Sequence, residues 1–323
     1  MGRPAMGMRA IRIWPLPAMP RILPENGSEM GTIRFAGVER HRLAGDVPTH
    51  RGACFFGATQ CMTRATVVTD SKLILYHAWS SSASRKVRLC LAEKGLAYES
   101  RVLDLRRFQH HGDWYKAFNP NGIVPCLVVD DRPLVESNLI DEFLNEWVPR
   151  PALMPVDPLQ RHEVRRWSKY VDDVCLPAVQ KPNWTRSMQP IAEKWSDEEL
   201  ERRLAAIPTE NRRALWRRMA RDPFTREEID AALDVLEDMT RRIEAYLESS
   251  GGPWLFGERL TLADIHVAPY VVRFDEERPG RLAARTAHWW TRFTARDPWR
   301  LAEIGDYQDD TERTTREAIP DPP

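Results

Sequence analysis

Strand-like runs are confined to residues 73–135 of this 323-residue chain, and that confinement limits its fold more than any other feature. Leu73-Ile74-Leu75-Tyr76 reads as a buried strand and Tyr98 to Leu103 as an alternating one. Val124 to Val129 enters a third strand through Pro125, and Pro133-Leu134-Val135 makes a short fourth after the turn Asp130-Asp131. Beyond the proline-rich stretch Pro149 to Pro158 the period-two pattern stops and apolar residues recur at helical spacing. One small sheet followed only by helices predicts two domains, the first α/β and the second all-α.

Helices fill the gaps in the first domain. Ser80-Ser81-Ser82-Ala83-Ser84 supplies N-cap residues, Val87 to Ala92 the apolar body, and Gly95 a left-handed stop. Gln109 to Lys116 reads as loop or irregular helix, and Ser137 to Trp147 as a helix with Leu139, Ile140, Phe143, Leu144 and Trp147 on one face. The order is βαβ, then ββα. In the second domain Val164, Trp167, Val171 and Val174 mark one face, and Thr225 with Glu228 forms a capping box for a long helix stopped at Gly251-Gly252. A further helix starts at Thr261, and Ala192 to Ala220 reads as two extra amphipathic helices. The expected limits are a disordered extension 1–70, an α/β domain 71–149, a linker 150–158, a helical domain 159–310 and a flexible tail 311–323.

Composition narrows the function. Lys plus Arg and Asp plus Glu are 47 each, so no net field draws the chain to nucleic acid or an anionic membrane. Five cysteines without a C-x-x-C pair point to neither a disulfide framework nor a metal site, and a reducing, cytoplasmic setting fits them. The apolar segment Ile11 to Leu23 is broken by Pro15, Pro17 and Pro20, and a soluble protein is expected.

Three places can carry chemistry. A serine at a helix N-terminus combines a hydroxyl donor with unpaired N–H groups, and together they favour an anion such as a thiolate; a plain N-cap has the same spelling. A proline entering a strand at Val124-Pro125 offers an edge for a peptide if the bond is cis, although trans is commoner. Glu136-Ser137, an acid beside a helix-start N–H, suits the ammonium and carboxylate of an amino acid, or is an ordinary helix start.

The combination resembles the glutathione transferases: Leu75-Tyr76, Ser81 to Arg88, Glu93-Lys94-Gly95, Asn119 to Pro125 and Glu136-Ser137 cover the first domain, and Thr261-Leu262-Ala263-Asp264-Ile265 is similar to a capping-box helix of the second. The resemblance implies a thioredoxin-like domain joined to an all-helical one, glutathione as co-substrate, no metal, and a homodimer. It assigns thiol activation to Ser81, with Ser82 and Ser84 as alternatives. It assigns the cysteinyl backbone of glutathione to Val124 before Pro125, the γ-glutamyl end to Glu136 and Ser137, and the glycyl carboxylate to His111 or its neighbour His110. Ile123 stands where the family often has Lys or Gln, so one polar contact is missing. Phe108 to Lys116 and Trp195 to Leu200 are similar to the bacterial glutathione-dependent β-etherases, which implies an aromatic electrophile and a pocket to which Trp79, Tyr170 and Trp184 are assigned, ordinary packing being the other reading. General detoxifying conjugation, peroxidase or dehalogenase activity, and a non-catalytic interaction module are the alternatives.

Overall fold

The computed structural model describes residues 71–321, so the expected extension lies outside the described residues. Four strands, β1 (Leu73–His77), β2 (Glu99–Val102), β3 (Cys126–Val129) and β4 (Arg132–Val135), form one sheet in the order β2-β1-β3-β4. β1 and β2 are parallel, which requires a crossover, and α1 (Ser82–Lys94) provides it. β1 and β3, and β3 and β4, are antiparallel, with Leu75 opposite Leu127 and Leu127 opposite Leu134. Gly95 ends α1 at φ 66°, and the N–H of Leu96 returns to the carbonyl of Leu91 at 3.0 Å, the closing bond of a Schellman turn.

The alternation along the strands sorts the two faces. Leu73, Leu75 and Leu127 join Val87 and Leu91 of α1, and Ile140 and Leu144 of α3 (Ser137–Trp147), in a core that continues into the helical domain. Ile74, Tyr76, Cys126 and Val128 face the other way and are covered by α2 (Asp113–Lys116), which follows a 3₁₀ turn (Gln109–His111), with Tyr115 fully buried.

Asp157 caps α4 (Pro158–Tyr170), and a π turn (Val171–Cys175) passes into α5 (Leu176–Ser187). Then come α6 (Gln189–Ala192), α7 (Asp197–Ala205), α8 (Glu210–Arg221) and α9 (Arg226–Ser250). They are followed by α10 (Leu262–Glu277), α11 (Ala284–Thr294), α12 (Asp297–Leu301) and α13 (Tyr307–Glu317). Both expected capping boxes form, Thr225 with Glu228 and Thr261 with Asp264. Buried Asp264 also accepts from the Leu255 N–H at 3.0 Å and from Trp289 Nε1 at 2.9 Å, tying α10 to α11 and the preceding loop. α7 and α8 bury Leu200, Leu204, Ile207, Trp216 and Met219 in a second core that includes Phe108 of the first domain.

Two expectations are corrected. Val174 does not continue the face of Val164, Trp167 and Val171: it is 38% exposed and Cys175 is buried in its place, because the π turn inserts an extra residue per turn and rotates the face. Residues 311–321 are not a tail outside the packed domain. Asp310 on α13 pairs with fully buried Arg85 at 2.6 Å, Thr314 accepts the Trp79 N–H at 3.0 Å, and the Ile319 N–H reaches the carbonyl of Val102 at 2.9 Å.

Candidate functional site

A cleft of about 220 Å³ opens between the two domains where β1 turns into α1. Ser80, Ser81 and Ser82 line it at the N-terminus of α1, whose first N–H groups have no carbonyl partner within the helix. Ser81 is the N-cap: its Oγ accepts the Ser84 N–H at 3.2 Å. A hydroxyl that accepts in this way still has its own proton, so Ser81 offers one O–H donor beside the positive end of the α1 dipole.

The opposite lip is the loop before β3. Tyr115 Oη and Asn119 Nδ2 both donate to the carbonyl of Ile123, each at 2.7 Å, and hold the residues that precede Val124. Gly122 sits at φ 56°, where a Cβ would meet His111 Nδ1 at 2.6 Å and the His110 carbonyl at 2.9 Å, so only glycine fits that approach. The Val124-Pro125 bond is cis, and both residues line the cleft. Glu136 follows β4 with φ 67°, a left-handed conformation that a non-glycine residue adopts at a cost, and it lines the cleft with Ser137, the first residue of α3. No ion pair engages the Glu136 carboxylate among the described residues.

The expected residues therefore separate. Ser81, Ser82, Val124, Pro125, Glu136, Ser137 and Trp184 come together in the cleft. Ser84 does not: it points into the fold, fully buried, and the Oγ atoms of both Ser82 and Ser84 are enclosed without a partner. His111 is corrected as well. It packs under Gly122 rather than lining the cleft, and burial, with Arg212 and Lys116 adding to it, pushes its pKa down to about 3, so it is uncharged at neutral pH. His110 lines the cleft, but burial holds it neutral too, well below the usual histidine range. Trp79 is not a pocket residue. Its ring is packed by Arg88 at 4.4 Å and Arg313 at 3.5 Å, and its Nε1 donates to Glu317 at 2.9 Å. Tyr170 lies away from the cleft, packed against Trp167 at 5.4 Å with Arg242 over its ring at 4.7 Å.

Several lining residues come from places the motif reading did not single out. Leu176, Val179 and Asn183 of α5 form one wall, Met188 and Tyr307 close it, and Arg212 and Trp216 reach in from α8. Trp184 and Trp216 rings lie 5.1 Å apart, which makes an aromatic wall. Asp172 is engaged by Lys86 at 2.5 Å. Helical spacing along Arg212 to Trp216 gives the one available signal for the last pair, since residues four apart share a face; which face meets the first domain is a tertiary matter.

Comparison with known proteins agrees with this geometry. A family model described as glutathione S-transferase, N-terminal domain, matches residues 80–147, and one described as glutathione S-transferase, C-terminal domain, matches 210–300. Protein LigF of Sphingobium sp. is 34% identical over 211 residues, covering 64% of this chain and 80% of that protein. A probable maleylacetoacetate isomerase of Vibrio cholerae is 30% identical over 211 residues, covering 63% and 83%. Among solved structures, the β-etherase LigF from Sphingobium sp. superposes with a TM-score of 0.63 at 30% identity, covering 72% of this chain and 98% of that one.

Proposed function

The chain belongs to the glutathione S-transferase superfamily, on the branch that resembles LigF, and from that premise we propose that it activates the thiol of glutathione at Ser81 for attack on a small aromatic electrophile. One observation carries the reading: the free O–H of Ser81 at the N-terminus of α1 shares a cleft with Val124, Glu136 and Ser137. A hydrogen bond to sulfur and the helix dipole both favour thiolate over thiol, which raises the nucleophile's population near neutral pH. Val124 suits the cysteinyl backbone, Glu136 the γ-glutamyl ammonium, and the Ser137 N–H its carboxylate.

The similarity to a β-etherase supports ether cleavage as the reaction. Thiolate attacks the carbon that bears an aryloxy group; the C–S bond forms as the C–O bond breaks, and the aryloxide departs with the electron pair and takes a proton from water. Trp184 and Trp216 would hold the arene. The isomerase relative favours a second reading, in which the same thiolate adds reversibly to a double bond. A cytoplasmic homodimer is the setting we infer for either.

The test is the ultraviolet absorbance of bound thiolate against pH. Ser81→Ala should raise the bound thiol pKa by about one to two units, the worth of one hydrogen bond to a charged acceptor. Ser84→Ala should leave the titration in place because its hydroxyl is enclosed. A titration unmoved by Ser81→Ala, Ser82→Ala and Ser84→Ala alike would sink serine activation.

A further inference from the structure

Arg212 and Trp216 stand one turn apart on α8 and both line the cleft. Burial alone lowers the pKa of the Arg212 guanidinium; no acid lies near enough to offset it, and no ion pair engages it among the described residues. The guanidinium is half-buried at the cleft, so it keeps some water but has no protein counter-ion among the described residues. The indole Nε1 of Trp216 is buried with no acceptor, although its ring is packed against Phe108 at 4.7 Å, Trp184 at 5.1 Å and Trp195 at 5.5 Å. Buried donors are rarely left unpaired, and the Trp216 N–H beside a half-buried guanidinium on one helix face of one cleft defines a shape of missing partner.

The other charged groups in the cleft do not supply it. Asp172 is taken by Lys86, His110 is neutral, and Glu136 stands at the α3 end. Arg212 is the one permanently charged cation among the residues that line the cleft. A planar anion that accepts from two nitrogens of the guanidinium fits it best.

We propose that Arg212 and the indole N–H of Trp216 form a carboxylate-binding site on α8. It rests on the glutathione reading for its ligands, and two sources offer the group: the glycyl end of glutathione, or a carboxylate carried by the aromatic substrate.

Isothermal titration calorimetry on the full-length protein reads the site without turnover. One arm compares glutathione with its glycyl ethyl ester, the other 4-chloro-3-nitrobenzoate with its methyl ester. The wild type should bind at least one acid about tenfold to hundredfold more tightly than its ester, as a hydrogen-bonded charge pair does, and the arm that shows the preference identifies the source. Arg212→Met should bring that ratio near one. Arg212→Lys should retain part of it, having the charge without the fork, and Trp216→Phe should lower it by removing the donor while keeping a ring. No preference for either acid in the wild type, or one that Arg212→Met leaves intact, overturns the proposal. Should Arg212→Met fail to fold, Arg212→Lys and Trp216→Phe carry the comparison, and a ratio unchanged in both overturns the proposal. These ratios do not depend on thiol activation at Ser81, so the two readings fail separately.

Discussion

Ser168, His266 and Asp141 make a serine-histidine-acid chain, with Oγ 2.7 Å from Nδ1 and Nε2 3.1 Å from Oδ2, yet its proton order denies it nucleophilic chemistry. Ser168 donates to the carbonyl of Val164 at 3.0 Å, so toward His266 it can only accept, and Nδ1 must carry the proton. Nε2 is then an acceptor and needs a donor from Asp141, which means a protonated acid. The electrostatics agree: burial drives the Asp141 carboxyl well above its usual range and His266 well below its own. Asp141→Asn keeps a donor in the same place and should change stability by less than about 1 kcal/mol, whereas Asp141→Ala strands Nε2 and should cost about 1–3 kcal/mol. Urea unfolding of the two variants compares them. A loss with Asn as large as with Ala would show that Asp141 is ionised in the fold. Serine position alone therefore does not mark a site; what distinguishes Ser81 from Ser168 is a proton that no acceptor among the described residues holds and a cleft in front of it.

At the level of elements, α13 is fastened by charge. Arg85 gives Nη2 to Asp310 at 2.6 Å and to the carbonyl of Gly305 at 2.9 Å, and its Nε to the carbonyl of Trp79 at 3.2 Å, the first and last of these out of water. Removing one partner of a buried pair leaves the other charge uncompensated, so Asp310→Ala should cost about 3–5 kcal/mol. In a protein of this size that is a fall of roughly 6–20 °C in Tm by calorimetry. A fall under a degree or two would show that α13 docks by other means. The strands, the Ser137–Trp147 helix and both capping boxes were readable because their signals lie within a few residues: alternation, a cap, an acid three positions on. Cleft residues carried by motifs, Ser81, Val124 and Glu136, were readable for the same reason. α1 reads as mostly apolar, but it buries Arg85, Lys86, Arg88 and Lys94, and the partners of Arg85, Lys86 and Lys94 include residues far along the chain, Asp310, Asp172 and Pro151. Arg212 and Tyr307 were missed likewise, since nothing local tells which face of α8 or α13 meets the first domain. A cooperative polar network is a tertiary fact with no local spelling.

For the molecule as a whole, the cleft needs both domains, so what holds the domains folded also holds the site. Leu139 of α3 and Val174 of the π turn are exposed apolar residues on elements that Asn138 ties together by donating to Ser168 and Asp172, which supports the inferred homodimer through this face. Light scattering should give twice 37.4 kDa, and Leu139→Glu should halve it; a monomeric wild type at micromolar concentration ends that inference. Acid should act on the entire fold through buried histidines. His77, His110 and His266 lie well below the usual range, and His111 is lowered to about 3, in each case chiefly by burial. Unfolded histidine titrates near 6.5, so above about pH 6.5 neither state is protonated and the stability is fully present. As pH falls below that value the unfolded chain takes up protons that the native state refuses, and stability is lost until the folded pKa values are passed. Asp141 and Asp264 work against this, since burial raises both and the native state retains their protons where the unfolded chain has released them. Four histidines less up to two carboxyls leave about two to four protons bound on unfolding near pH 5.5, each worth about 1.4 kcal/mol per pH unit. Urea midpoints followed from pH 7.5 to pH 5 should therefore decline steeply below about 6.5, with calorimetry in buffers of different ionisation enthalpy counting the protons directly. Uptake of less than one proton would mean that these histidines are charged in the fold.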